Sequence, residues 1–431
     1  MVLRKFDGSP HLLAMHFKMI EKIKRTVNRF WHLVGGAIGA QLIAIAVAPI
    51  LLRYYSPTQF GRYSLSLAIG SIMSVGLAGR LDMAIAMPSS EKMASRIFAA
   101  ALSVSVTLGV ISLAITLIGS LLGLWELATS LVGIIIGILL SVFQIQIALI
   151  SRKRDFKKVT ALRISQSILM AAFQLLFAWK FESSYGLEIG CLTALSGIVL
   201  CTFVFVEFEK TRHSLAAFRN ILLKYRGFWQ YDVWSALLNC VSSQLPILLM
   251  GHFFASAHVG YYSLSQRILV VPMAVVGSSV AQVFYQEAAE RFRNGGINRQ
   301  YLKRSMGFLL FLGVVIFVPV VLLSEWAIMF LFGAKWMQCA LVIKVISPWL
   351  FLVFVVSPFS GLFQILGHQR IYLLSNLVLF LLRILVFVTT ATLTGNWVSS
   401  IFAYSLLGVA YWIWAAVHIL SQGAVCDTQS V

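Results

Sequence analysis

Apolar runs of roughly twenty residues, separated by short polar segments, recur along the whole chain. An α-helix needs about 20 predominantly apolar residues to cross the hydrocarbon core of a bilayer. By that measure twelve segments qualify: approximately 33–52, 63–79, 97–119, 128–150, 159–179, 186–206, 229–251, 262–284, 306–328, 340–366, 371–394 and 397–420. The second is short, and its pattern can be extended past Arg80 towards Pro88. Composition agrees, because 59% of the 431 residues are hydrophobic and only 11% are charged. A soluble domain carries about 25% charged residues to wet its surface, so a water-facing fold is excluded. The pattern predicts an all-α integral membrane protein of about twelve transmembrane helices. The five cysteines (Cys191, Cys201, Cys240, Cys339, Cys426) are scattered, with no CxxC pair or Cys/His cluster, so neither a disulfide framework nor a metal site is expected. No GxxxxGK[ST] motif is present to bind a nucleotide.

The net charge of +19 invites a nucleic-acid reading, but the placement of the charges gives it a different meaning. Basic residues crowd the N-terminal arm (Arg4, Lys5, Lys18, Lys22, Lys24, Arg25, Arg29) and the loops after even-numbered runs. Those loops hold Arg80, Lys92 and Arg96; Arg152 to Arg154, Lys157 and Lys158; Lys210, Arg212, Arg219, Lys224 and Arg226; Arg291, Arg293, Arg299, Lys303 and Arg304; and Arg370. The loops after odd-numbered runs hold only Arg53, Arg62, Lys180 and Lys335. The positive-inside rule then places both termini and every even loop in the cytoplasm. Cleavage of the first run as a signal peptide would invert this pattern in every later loop, so it is not expected. Within residues 1–32, Phe17, Ile20, Ile23, Val27 and Phe30 fall at helical spacing opposite basic residues. That leader is either an interfacial helix on anionic lipid or a solvated basic arm that a start at Met15 or Met19 would shorten.

The stretch FGRYSLS at 60–66 recurs as VGYYSLS at 259–265, with Gly61 and Tyr63 matching Gly260 and Tyr262. Each copy is expected in the outer loop between the first and second spans of a six-span half. The chain therefore divides into a leader (1–32), an N-terminal six-helix lobe (33–206), a basic cytoplasmic linker (207–227), a C-terminal six-helix lobe (228–420) and a cytoplasmic tail (421–431). Parallel repeats of this kind are related by an axis along the membrane normal, and transporters place their substrate site between the halves.

Polar residues repeated along one face of a transmembrane helix mark a wet or protein-lined face. The seventh run carries Asp232, Ser235, Asn239 and Ser243; the fifth Arg163, Ser167 and Gln174; the eleventh Asn376 and Arg383. The eighth adds Arg267, Ser278 and Gln282, the fourth Ser141 and Gln144, and the first Gln41. One such stripe is explained by a hydrogen-bonded seam between helices, whereas stripes in both halves argue for a hydrophilic cavity between them. Arg383 lies near mid-span, too deep to reach an interface, which favours a cavity role over a structural ion pair. For Arg163, Asp232 and Arg267 the alternatives of substrate contact and of snorkelling or pairing stay open; for Lys344, close to the outer edge, snorkelling is favoured. The candidate substrate-binding set is Arg383, Arg267, Arg163, Lys344, Asn239, Asn376 and Gln174. Asp232 is the candidate for coupling to a proton or sodium gradient. Arg80 and Asp82 form either a local salt bridge or a gate. The set is cationic, which favours an anionic passenger.

The segments RYYSPTQFGRYSLSLAI (53–69), RLDMAIAMP (80–88), VGYYSLSQRILVVPMAVVGSSVAQVFYQEAAERFRNG (259–295) and LFGAKW (331–336) resemble those of Wzx-type polysaccharide flippases of the multidrug/oligosaccharidyl-lipid/polysaccharide exporter superfamily. The resemblance implies a MATE-like, V-shaped transporter in the bacterial inner membrane, moving undecaprenyl-pyrophosphate-linked oligosaccharide from the cytoplasmic to the periplasmic leaflet. By position it marks Arg80, Asp82, Gly61, Tyr63, Gly260, Tyr262, Arg267 and Pro272 as family-type residues. It implies a monomeric transport unit working with membrane lipids, lipid-linked oligosaccharide and a polysaccharide polymerase with its chain-length machinery, with no nucleic acid, cofactor or metal. An ion-coupled drug exporter of the same superfamily is the alternative, and its cavity should carry carboxylates. A membrane-embedded enzyme is a third class, against which stand the short outer loops and the isolation of Glu126 and Glu325.

Overall fold

The computed structural model describes residues 39–123, 126–181, 185–206, 215–293, 299–365 and 368–428. Each of the twelve predicted runs overlaps a helix where it is described, and no strand occurs among the described residues. In chain order these are α1 (Gly39–Tyr54), α2 (Pro57–Leu77), α3 (Glu91–Leu121), α4 (Leu127–Arg152), α5 (Phe156–Phe181) and α6 (Gly186–Phe205). The second half comprises α7 (Phe228–Phe253), α8 (Ser256–Arg293), α9 (Arg299–Leu322), α10 (Gln338–Val356), α11 (Gln369–Thr394) and α12 (Trp397–Thr428). Nine helices among the described residues are long and apolar enough to span a bilayer, which makes this a multi-pass membrane protein. α1 is described only from Gly39, as a shorter apolar helix, and the leader at 1–32 lies outside the described residues.

The repeat is where the expectation fails. GRYSLS lies within α2 and GYYSLS within α8, so the repeat positions are helical and not in loops. The sequence Ser56-Pro57-Thr58-Gln59 explains the first case. Ser56 caps the helix in a full capping box with Gln59, and Pro57 occupies the first turn, where its missing N–H is not needed. A polar run can be helical here because it faces protein: Tyr63, Ser64, Ser66, Tyr262, Ser263 and Ser265 are all buried. The ninth predicted run, drawn as continuous over 306–328, is also interrupted. α9 stops at Leu322 after the internal Pro319, and a separate helix Ser324–Phe332 follows. The tenth breaks likewise, with a 3-10 turn at Ser357–Phe359 around Pro358 and a short helix Leu362–Ile365. Part of the expected linker is itself a helix, Leu215–Lys224, and α12 runs on to Thr428 beyond the expected edge of the tail.

Within the first half α2 packs along α4, α4 against α3 and α6, and α5 against α6. In the second half α8 packs on α10, and α10 and α11 on α12. Helices in lipid gain little from the hydrophobic effect when they associate, so small residues that admit close backbone approach carry the packing. The α2–α4 seam shows this. A Cβ on Gly137 would fall 2.6 Å from Met73 Cβ and 3.0 Å from the Gly70 carbonyl, and one on Gly133 3.0 Å from the Ser66 carbonyl. The repeat extends to hydrogen bonding: Ser66 Oγ donates to Thr129 O of α4 (3.1 Å), and Ser265 Oγ to Cys339 O of α10 (3.0 Å).

The halves meet chiefly through α2 against α8, with α2 also touching α7. The crossing point is the repeat itself. A Cβ on Gly61 would lie 1.7 Å from the Ser256 carbonyl oxygen, and one on Gly260 2.2 Å from that of Pro57. The two glycines thus occupy reciprocal positions about a local two-fold axis. Gly61→Ala is expected to force the crossing apart, with an overpacking cost of about 1–3 kcal/mol or more. The midpoint of thermal unfolding in detergent should fall by several degrees, and an unchanged midpoint would refute the contact.

Candidate functional site

A cavity of about 890 Å3 opens between the halves, beyond the α2–α8 crossing. One wall is α7, which contributes Asp232, Ser235, Asn239, Ser242 and Ser243 from a single face. From Asp232 to Leu245 that wall runs for about 20 Å at 1.5 Å rise per residue. The opposite wall is α11, with Tyr372, Asn376, Phe380 and Arg383 at intervals of three and four residues. Among the described residues the first half supplies Val75 and Arg80.

Arg80 lies at one end. The chain leaves α2 through Gly79 and Arg80, both with φ of 56°, before the short helix Leu81–Ala84. A left-handed conformation is unusual for arginine and costs on the order of 1–2 kcal/mol. It turns the side chain across the gap, where Nε meets Asp232 Oδ2 at 2.8 Å. Of the two alternatives left by the sequence, the Arg80 pair is therefore the contact between halves and not a local bridge to Asp82. Asp232 is the last residue of a π-helical turn, Phe228–Asp232, that opens α7. Asp82 stays in the first half with its buried Oδ1 unpartnered, and burial raises its carboxyl above the usual carboxylate range while Arg80 partly offsets this.

Arg383 is buried, 9% exposed. Its guanidinium carbon is 4.5 Å from the ring centres of both Trp349 and Tyr404, so two aromatic faces hold the group by cation–π attraction. Gly408 makes room for it, since a Cβ there would approach Nη2 to 2.6 Å and Trp349 Cδ1 to 2.4 Å. Nε and Nη2 are buried with no hydrogen-bond partner among the described residues. Asn376 lies two turns away and uses its amide nitrogen on the Tyr372 carbonyl (2.7 Å).

The other candidates lie elsewhere. Gln174 is buried inside the first half, donating to Leu187 O (3.3 Å), while its own carbonyl accepts from Tyr55 Oη (2.9 Å). Ser167 donates to Ala40 O (2.7 Å), and Ser141 is bonded to Ser105 (2.8 Å). The polar stripes of the first half are therefore seams between its helices, and Arg163, on the same helix as Ser167 and Gln174, is half-buried away from the cavity. Lys344 pairs with Glu325, so that carboxylate is not isolated, and Glu126 likewise accepts from Thr129 Oγ1 (2.9 Å). Arg267 contacts the other half, its guanidinium 5.6 Å from the Phe60 ring centre, near the crossing. Tyr63 and Tyr262 are buried beside the crossing, and Pro272 falls within α8. Sequence reasoning missed Tyr372, Ser242 and Cys240, which also line the cavity; Tyr372 extends the Asn376–Arg383 stripe by one turn.

Two helical halves beside a polar cavity form a fold that solved flippase and multidrug-exporter structures share. Over 90% of its length the chain is similar to a lipid II flippase, MurJ, in an inward closed conformation (TM-score 0.67, 12% identity, 90% of that chain). It is also similar to the MATE multidrug transporter DinF-BH (TM-score 0.51, 16% identity, 90% and 92% coverage). The chain belongs to the polysaccharide biosynthesis protein family, whose model matches residues 50–341. Among curated relatives it is 24% identical over 325 residues to the succinoglycan biosynthesis transport protein ExoT of Rhizobium meliloti (strain 1021), and 21% identical over 202 residues to the teichuronic acid biosynthesis protein TuaB of Bacillus subtilis (strain 168). These matches take in 72% and 46% of this chain, and the chain spans only 63% and 42% of those relatives' own lengths.

The Arg80–Asp232 pair is half-exposed, so its coupling is expected to be about 0.5–1 kcal/mol and not the larger value of a dry ion pair. A double-mutant cycle of Arg80→Ala and Asp232→Ala on thermal unfolding should show that coupling. The exchange Arg80→Asp with Asp232→Arg should restore most of it, because Asp tolerates the left-handed backbone at position 80. Strict additivity of the single effects would show that the pair does not bridge the halves.

Proposed function

We propose that the chain is a flippase that moves a lipid-linked oligosaccharide, with an undecaprenyl-pyrophosphate carrier, across the bacterial cytoplasmic membrane for surface polysaccharide assembly. The observation that carries this reading is the cavity between the halves, with the buried and unsaturated Arg383 in its lining and a belt of amides and hydroxyls along its walls. A pyrophosphate-sugar head group cannot cross hydrocarbon unaided, because stripping water from its charges and hydroxyls costs many kcal/mol. A guanidinium offers paired N–H donors in a fixed plane that matches phosphate oxygens. Asn239, Asn376, Ser235, Ser242 and Ser243 present donors and acceptors suited to sugar hydroxyls. The carrier's hydrocarbon tail stays in lipid while the head group occupies the cavity, and rocking of the halves exposes the cavity to each side in turn.

The names of the relatives support the substrate class: one is a transport protein of succinoglycan biosynthesis, another a flippase of lipid II. A drug or cation exporter fits the cavity less well. Among the described lining residues Asp232 is the acid, and Arg80 already neutralises it. Positive-inside charge supports both termini in the cytoplasm and movement from the inner to the outer leaflet. A proton or sodium gradient acting through Asp232, a monomeric transport unit, and a polymerase with chain-length machinery as partners complete the proposal.

In a strain lacking the protein, lipid-linked oligosaccharide is expected to accumulate on the cytoplasmic leaflet. Complementation with Arg383→Ala should leave surface polymer at about a tenth or less of the wild-type level, as for loss of a charge-assisted anion contact, with membrane insertion unchanged. Arg383→Lys should recover part of it, as a point charge without the planar fork. An intermediate that reaches the outer leaflet normally without the protein would reject the flippase reading.

A further inference from the structure

Two motifs of the sequence, RYYSP (53–57) and LFGAKW (331–336), lie far apart in the chain and outside the cavity, yet the fold brings them together. They meet at the end of the molecule that carries Gly61, opposite the Arg80 end. α1 terminates at Tyr54, which leaves the carbonyls of its last turn in need of partners. Trp336 Nε1 donates to Leu52 O (2.9 Å) and Lys335 Nζ to Arg53 O (2.9 Å), both from the second half. The helix Ser324–Phe332 terminates at Gly333, whose φ of 90° turns the chain sharply towards Lys335 and Trp336. Its own last carbonyls are met from the first half: Arg53 Nη2 donates to Phe330 O (2.8 Å) and Nε to Leu331 O (3.3 Å). Each half thus caps a helix C-terminus of the other with a cation, where the helix dipole is negative. Trp336 is fully buried between them, edge-on to Phe60 of α2 (5.7 Å, 82°) and to Tyr261 of α8 (6.2 Å, 89°).

We propose that Arg53, Lys335 and Trp336 form a reciprocal clasp that seals the cavity at the Gly61 end, and that its release admits that face of the membrane to the cavity. Arg53 and Lys335 lie at the exposed surface, so water can replace each of their bonds when the halves part, while the buried Trp336–Leu52 bond is the part that holds the clasp shut. That exchange is what a reversible gate requires. The clasp contains no carboxylate, whereas at the Arg80 end a carboxylate–guanidinium pair joins the halves. The contacts between the halves at the two ends therefore differ in chemistry and can be loosened separately. The proposal rests on the transport reading only in making release one step of a cycle.

Cys240 on the cavity wall is a native reporter. With the other cysteines replaced by alanine, an impermeant maleimide is applied to membrane vesicles from either face. Arg53→Ala with Lys335→Ala is expected to speed labelling of Cys240 from the clasp face by about fivefold or more, the scale on which loss of a few such bonds shifts a two-state population. Labelling from the Arg80 face should not accelerate, and its persistence reports a folded, inserted protein. Trp336→Phe, which keeps the ring and loses the N–H, should give a smaller increase in the same direction. Unchanged labelling from the clasp face in both variants overturns the proposal, and if the double variant fails to insert, Trp336→Phe alone decides. The readout needs no substrate. Failure of the clasp is thus distinct from failure of the flippase reading, which the lipid-linked intermediate tests.

Discussion

The two halves are joined backbone to backbone where α2 and α8 begin, at a distance that only glycine permits on either side. That contact follows from the solvent. In water, two helical bundles are driven together by apolar burial, but acyl chains are as apolar as leucine and offer no such drive. Association must come from close approach and from polar bonds that lipid cannot replace. The repeat supplies both, with Gly61 and Gly260 setting the approach while Ser66 and Ser265 tie α2 and α8 to α4 and α10. Once that crossing is fixed, the space on its Arg80 side is a wedge between α7, α11 and the end of α2. The cavity is the part of the wedge that side chains leave unfilled.

The wedge is lined unequally. The first half spends its membrane-embedded polar groups on itself: Gln174, Ser167, Ser141 and Gln146 all bond within it. The second half leaves Asn239, Asn376 and Arg383 facing the gap. A polar residue in a span has only these two ways to avoid lipid, a partner helix or water, and nothing in a local stripe distinguishes them. The pseudo-symmetry of the scaffold therefore does not extend to the site. Among the described residues the second half supplies most of the polar lining.

That ambiguity explains what the sequence made legible. Order and approximate limits of most of the long helices were readable because hydropathy depends only on local composition. The α7 stripe and the Asn376–Arg383 pair were readable as wet faces because their spacing matches the helix period. Gln174 and Arg163 looked the same and were not, since the partners that satisfy such a stripe belong to another helix. GRYSLS was mistaken for a loop because a polar, glycine-containing run signals a turn unless burial by the opposite half is known. The breaks at Leu323 and Pro358 were obscured by apolar runs that continue through them. Most distant from sequence reasoning was the meeting of Arg53 with the 330–331 carbonyls, for main-chain acceptors leave no trace in residue identity.

The anionic passenger we propose rests most on Arg383. Holding a guanidinium at mid-span costs on the order of 2.5–3.5 kcal/mol on insertion scales. A carboxylate partner would offset that cost, but it would also occupy the donors. Two aromatic faces at 4.5 Å offset it differently, each desolvated cation–π contact contributing up to about 2 kcal/mol. The sums are comparable, so the charge can be kept in place without an acid beside it. The rings of Trp349 and Tyr404 lie side by side against the guanidinium, and its buried Nε and Nη2 have no hydrogen-bond partner among the described residues. In the transport cycle we propose, an oxyanion that reaches this cation meets no resident carboxylate. A permanent ion pair at the same place would be a structural bolt, and the cavity would lose the difference between its empty and loaded states.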